Sequence, residues 1–148
     1  MLQLLGWCSQ QSPSHSSPQP CSSLHFPCNR TLGPNRFHGE VPLALYSLSA
    51  YELNLEYNNL SGSLPRRLST ADLSLLNVQG NQLSGPLPDF YQWNTTLNML
   101  LLGGNRFTGS IGESISVLTS VSIISLRNNQ LSGTIPSALL AVSKLQAM

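Results

Sequence analysis

Asn58-Asn-Leu-Ser-Gly-Ser-Leu-Pro65, Asn81-Gln-Leu-Ser-Gly-Pro-Leu-Pro88 and Asn129-Gln-Leu-Ser-Gly-Thr-Ile-Pro136 are one motif written three times. Asn35-Arg-Phe-His-Gly-Glu-Val-Pro42 and Asn105-Arg-Phe-Thr-Gly-Ser-Ile-Gly112 are looser copies of it. Successive Asn residues stand 23, 23, 24 and 24 positions apart. All five copies keep an apolar residue two places after Asn, Gly four places after and a branched aliphatic six places after. Four then have Pro, and Gly112 takes its place in the other. A fixed period of this length marks a repeat architecture, in which one unit is one supersecondary element.

The flanking residues complete the unit. Leu53 and Leu55, Leu76 and Val78, Leu100 and Leu102, and Ile124 and Leu126 lie five and three places before the Asn. Alternating aliphatics over so short a run predict a strand with one buried face. After the motif, apolar residues recur at steps of three: Leu45 and Leu48, Leu68 and Ala71, Ile115, Leu118 and Val121, then Leu139, Val142 and Leu145. That step predicts a short 3₁₀ or helical return. No unit can bury its apolar stripe alone, so the units must stack, their strands pairing in parallel about 4.7–4.9 Å apart. The fold class expected is an α/β repeat solenoid. A polar Asn at the edge of each apolar stripe must bond to backbone groups, which makes Asn35, Asn58, Asn81, Asn105 and Asn129 a structural ladder.

Outside the array the composition changes. Residues 9–28 are rich in Ser, Pro and Gln and predict a segment that cannot offset its ordering entropy. The chain therefore divides into a leader, 1–31, and an array of about five units, 32–148, with no polar cap at its end. Met1–Cys8 has no basic start and too short an apolar run for a secretion signal. No stretch approaches the ~18 apolar residues of a membrane helix. The three cysteines, Cys8, Cys21 and Cys28, admit one pair plus one leftover or three free thiols.

Composition also excludes functions. Charged residues make up 9% of the 148 and the net charge is +1, too little for a protein that neutralises phosphates. His15, His25 and His38 are scattered, so neither a metal site nor a triad is expected. Glu52 and Glu56 fall near one another, but a solvated face is the reading for them rather than a catalytic pair. Gly103-Gly104 lacks the Lys-Ser/Thr that a phosphate loop needs. The protein is read as non-catalytic, with no cofactor and no nucleic-acid partner. Its candidate binding residues are the strand positions facing away from the core: Glu52, Asn54, Glu56 and Tyr57, Asn77 and Gln79, Leu101, Ser125 and Arg127. Three sequons make Asn29, Asn59 and Asn94 candidate glycosylation sites.

The Asn-x-Leu-Ser-Gly-x-Leu/Ile-Pro core, with its leading and trailing aliphatics, resembles the plant-specific class of leucine-rich repeat over roughly residues 32–148. The resemblance implies a curved solenoid with strands on the concave face. It also implies an extracellular or cell-surface setting in receptor-like kinases, receptor-like proteins or secreted inhibitors. Partners would be a protein or peptide ligand or a co-receptor. Trp7 followed by Pro20-Cys21-Ser-Ser-Leu-His-Phe-Pro-Cys28 resembles that class's N-terminal cap, which implies a Cys21–Cys28 disulfide. Ser23 and His25 replace the cap's second Trp and its Gly. The function expected is a protein- or peptide-recognition module. The alternative is a truncated repeat fragment with a structural or regulatory role and no ligand of its own. Limited proteolysis should cut within residues 1–31 before it cuts between Asn58 and Asn129; equal rates would contradict this division.

Overall fold

The computed structural model describes residues 28–43, 50–66, 73–93, 96–142 and 144–145. Five strands form one parallel sheet: β1 (Cys28–Thr31), β3 (Ala50–Asn54), β5 (Leu75–Asn77), β7 (Met99–Leu101) and β9 (Ile123–Ser125). They lie side by side in chain order, each coil adding one strand to the last. The register places Arg30, Leu53, Leu76, Leu100 and Ile124 in one inward column. A second column, Leu32, Leu55, Val78, Leu102 and Leu126, follows two residues on. Its N–H groups extend the ladder, as in Leu55 N–H to Asn77 O at 2.8 Å and Val78 N–H to Leu101 O at 2.9 Å. The middle three of that column are buried, whereas Leu32 and Leu126 are half-buried. The molecule is a parallel-stranded β-solenoid, as the periodicity predicts.

Two features add to the sequence reading. Among the described residues the sheet begins at Cys28, within residues 1–31. Asn29, Arg30 and Thr31 pair with Glu52, Leu53 and Asn54 although Arg30 occupies an aliphatic's place. Ladder pairing is made by backbone groups and does not require a Leu at that position. The Arg30 Nε is buried and finds no partner among the described residues.

The motif after each Asn is also more than a turn. It forms a second set of short strands: β2 (His38–Glu40), β4 (Asn59–Ser61), β6 (Ser84–Pro86), β8 (Arg106–Gly109) and β10 (Gln130–Leu131). β2 pairs with β4, and β6, β8 and β10 pair in a three-stranded sheet, all in parallel. These runs lack alternating apolar residues, which is why periodicity does not reveal them. Gly85 and Gly109 sit within them at φ 85° and 77°, a conformation that side chains disfavour.

The returns are 3₁₀ turns at Phe90–Gln92, Glu113–Val117 and Ser137–Ala141. Ile115, Leu118 and Val121 are buried at their step of three. The preceding return buries Phe90, Trp93 and Leu97 instead. The two rings meet edge to face at 5.2 Å, and Trp93 Nε1–H donates to Pro65 O at 3.2 Å. Leu45, Leu48, Leu68, Ala71, Asn94, Cys21 and the Cys28 side chain lie outside what the structure describes.

The Asn residues bind coil to coil. Asn81 Oδ1 accepts from Leu60 N–H in the preceding coil at 3.0 Å. Its Nδ2 donates to Leu55 O in that coil at 3.0 Å and to Val78 O in its own at 3.1 Å. Asn58, Asn105 and Asn129 repeat this pattern, with Oδ1 accepting from Phe37, Leu83 and Phe107. Asn35 differs: its side chain donates to Leu32 O within its own coil at 2.9 Å and is exposed. Asn81→Ala should cost about 1–3 kcal/mol in denaturant unfolding, since it strands buried backbone groups. Gln82→Ala, whose side-chain amide donates to the exposed Asn59, should cost under about 0.5 kcal/mol.

Candidate functional site

The outer face of the five-stranded sheet carries three rows of side chains. The first is Asn29, Glu52, Leu75, Met99 and Ile123; the second is Thr31, Asn54, Asn77, Leu101 and Ser125. Just beyond the strands comes a third, with Glu56, Gln79, Gly103 and Arg127. The rows change character along the solenoid axis. Asn29, Glu52, Thr31, Asn54 and Glu56 make the first two coils polar and acidic. Leu75, Met99, Leu101 and Ile123 make the next three apolar, and all four are half-buried. Arg127 closes the far end, exposed.

Leu75, Met99 and Ile123 are absent from the residues picked out by sequence. The signal was available: each stands immediately before an inward aliphatic, so strand alternation turns it outward. Apolar residues beside a core stripe are assigned to the core by default, and that default hid the row.

The polar end is internally wired. The Glu56 carboxylate accepts from Asn77 Nδ2–H at 2.8 Å and from Asn54 Nδ2–H at 3.4 Å. Asn54 Oδ1 accepts from Glu56 N–H and Asn77 Oδ1 from Gln79 N–H, each at 3.1 Å. Asn77 is consequently only 5% exposed. It faces outward, and both ends of its amide are engaged, one holding Glu56 and the other the Gln79 backbone. Glu52 stands in a different row from Glu56, with Asn54 between them.

Tyr57 lies at the rim rather than on the strand. Its φ is 50°, and its ring lies against Gly80 of the next coil, where a Cβ would fall 2.5 Å from the ring's Cδ1. The ring remains 55% exposed. Gly103 opens a recess on the sheet, into which Ser125 Oγ and the Arg127 stem lean; a Cβ there would meet them at 3.0 and 3.1 Å. Of the sequons, Asn29 and Asn59 are exposed, on β1 and β4, and Asn59 accepts from Gln82 Nε2. Among the described residues, no three His, Cys, Asp or Glu side chains come together in a way that could hold a metal ion. No described helix is long and apolar enough to cross a membrane.

The Leucine Rich Repeat family model matches residues 50–71 and 120–141, two coils of the array. The chain is a leucine-rich repeat domain. It resembles solved plant receptor-kinase ectodomains. The Arabidopsis receptor kinase HAESA, in complex with the peptide hormone IDA and the co-receptor SERK1, superposes with a TM-score of 0.74 at 30% identity, covering 80% of this chain and 21% of that one. The Arabidopsis thaliana BIR2 ectodomain gives 0.63 at 33% identity, over 68% of this chain and 54% of that one. A chain of the BIR3–SERK2 complex from the same plant gives 0.61 at 37% identity, over 69% and 56%. The leucine-rich repeat domain thus spans about a fifth of the larger receptor chains and about half of the smaller ones. Among curated proteins none matches it.

The contact of Tyr57 with Gly80 is testable. Gly80→Ala should cost about 1–3 kcal/mol in thermal or denaturant unfolding, because φ is 64° and the ring blocks the methyl. Gly103→Ala, which meets chiefly side-chain atoms free to swing aside, should cost about 1 kcal/mol or less.

Proposed function

We propose that this domain is a non-catalytic recognition module that takes a protein or peptide along the outer face of its five-stranded sheet. It would serve within a receptor-like or secreted inhibitor-like protein, at the cell surface or outside the cell. The observation that carries this reading is the gradation on that face. A half-buried apolar row, Leu75, Met99 and Ile123, runs alongside a row that carries a held carboxylate, Glu56, at one end and an exposed guanidinium, Arg127, at the other. An extended chain laid across the strands would bury apolar side chains against Leu75, Met99 and Ile123. Its charges would meet Glu56 and Arg127. Strand positions of a stacked sheet need little ordering on binding, which removes one of the main costs of association. The HAESA structure, with its peptide hormone and co-receptor, supports the same partner class. Glycans on Asn29 and Asn59 would accompany an extracellular setting.

Area limits the strength of such binding. The rows hold about 15 positions, against the ≈20–30 residues per side of a stable interface. The domain by itself should therefore bind weakly and act as one segment of a larger surface.

Peptides selected on the intact chain from a random display library provide the test. Tyr57→Ala, Met99→Lys and Arg127→Glu should each weaken the selected peptides by tenfold or more, about 1.4 kcal/mol upward, without moving the melting temperature. Affinity that ignores all three and responds instead to Arg66→Glu or Arg106→Glu would move the site to the lateral loops.

A further inference from the structure

A second row of side chains lines up where each coil enters its strand. Tyr51, Ser74, Asn98 and Ser122 occupy one position in successive coils, immediately before Glu52, Leu75, Met99 and Ile123. Their backbones are stitched together: Ser74 N–H donates to Tyr51 O at 2.8 Å, Asn98 N–H to Ser74 O at 2.7 Å, and Ser122 N–H to Asn98 O at 2.8 Å. With Thr96, Ser120, Lys144 and Leu145 they wall an open groove of about 550 Å³. The groove runs along the flank of the solenoid, at the N-terminal ends of the strands, and shares no residue with the three rows of the sheet face.

Its chemistry is distinctive. The lining supplies hydroxyls, an amide and a phenol, groups that both donate and accept hydrogen bonds. The Ser122 hydroxyl and the Asn98 side chain already bond to each other, which fixes that rung. Tyr51 presents its ring at one end, 47% exposed. Lys144 is the sole charge among the described lining residues. A peptide strand adding to this row would find the N–H groups of Ser74, Asn98 and Ser122 already taken. A nucleic acid would need more than one cation.

We propose that this groove binds an extended oligosaccharide lying across the coils, with a carboxylate-bearing uronic sugar at the Lys144 end. The rungs repeat at the strand spacing of about 4.8 Å, so Tyr51 to Ser122 spans roughly 14 Å. An extended glycan advances by about one ring per rung at that spacing, so each sugar's hydroxyls meet one Ser, Thr or Asn. The Tyr51 ring offers an apolar face to the C–H face of a sugar and keeps its hydroxyl for a hydrogen bond. Lys144 then selects a carboxylate over a neutral ring. This inference does not rest on the peptide-binding reading of the sheet face.

The test titrates the full chain with a linear tetragalacturonate and with the neutral cellotetraose, by calorimetry at low salt. Both should bind, the uronate about two- to fivefold tighter, the worth of one exposed ion pair. Tyr51→Ala should weaken both by about tenfold. Lys144→Met should bring the uronate down to the neutral sugar's affinity. Both residues are exposed, so melting temperatures should be unchanged, and a melting scan separates lost binding from lost fold. Three results overturn the proposal: no saturable binding of either sugar, equal affinity for the two, or binding indifferent to Tyr51→Ala. Sugar binding that is lost with Met99→Lys instead would place the glycan on the sheet face and also overturn it.

Discussion

The stacking of this domain depends on a side-chain amide that sits where the backbone would otherwise be unsatisfied. When the chain leaves each strand, carbonyls and N–H groups at the bend have no ladder partner. An Asn at that bend bonds its own coil and the coil before it, as Asn81 does with Val78, Leu55 and Leu60. Buried backbone groups left without partners are costly, so the Asn sets the spacing and register of the stack along with the core. The aliphatic columns supply area, but area is non-directional. The Asn ladder supplies direction.

With the register set, the outer face follows by alternation. Inward Leu53, Leu76, Leu100 and Ile124 force Glu52, Leu75, Met99 and Ile123 outward. The ladder also brings together residues about 21–24 positions apart in sequence, which is how Asn77 comes to hold Glu56. The fold therefore needs no loop or lid to build an extended surface. One consequence is that single residues act on their neighbours' coils. Tyr57 rests on Gly80, and Arg127 leans over Gly103.

The flank and the face differ in chemistry because the repeat constrains them differently. The face alternates with a core, and its positions vary freely from acidic to apolar to basic. On the flank, the residue entering each strand makes backbone bonds to its neighbours, and small polar side chains recur there. A solenoid of this kind can thus carry two surfaces of unlike character without any conformational change.

How much of this was legible in the sequence divides along physical lines. The five-fold motif and the alternating aliphatics determined the solenoid, its parallel strands, its period and its Asn ladder, because each rests on local spacing. Composition argued against a phosphate-neutralising or charge-driven role. The second set of strands was not legible, since it rests on backbone pairing between coils with no apolar alternation to announce it. Neither was the start of the sheet at Cys28, where backbone pairing proceeds despite an Arg in an aliphatic's place. For the candidate face, Arg127 and Leu101 could be placed outward from spacing alone. Tertiary structure alone decided that Asn77 is engaged and buried, that Tyr57 turns to the rim, and that Leu75, Met99 and Ile123 form a continuous apolar row. Exposure is a property of what the adjacent coil places alongside a residue, and a coil some two dozen residues away is invisible to any local reading of the chain.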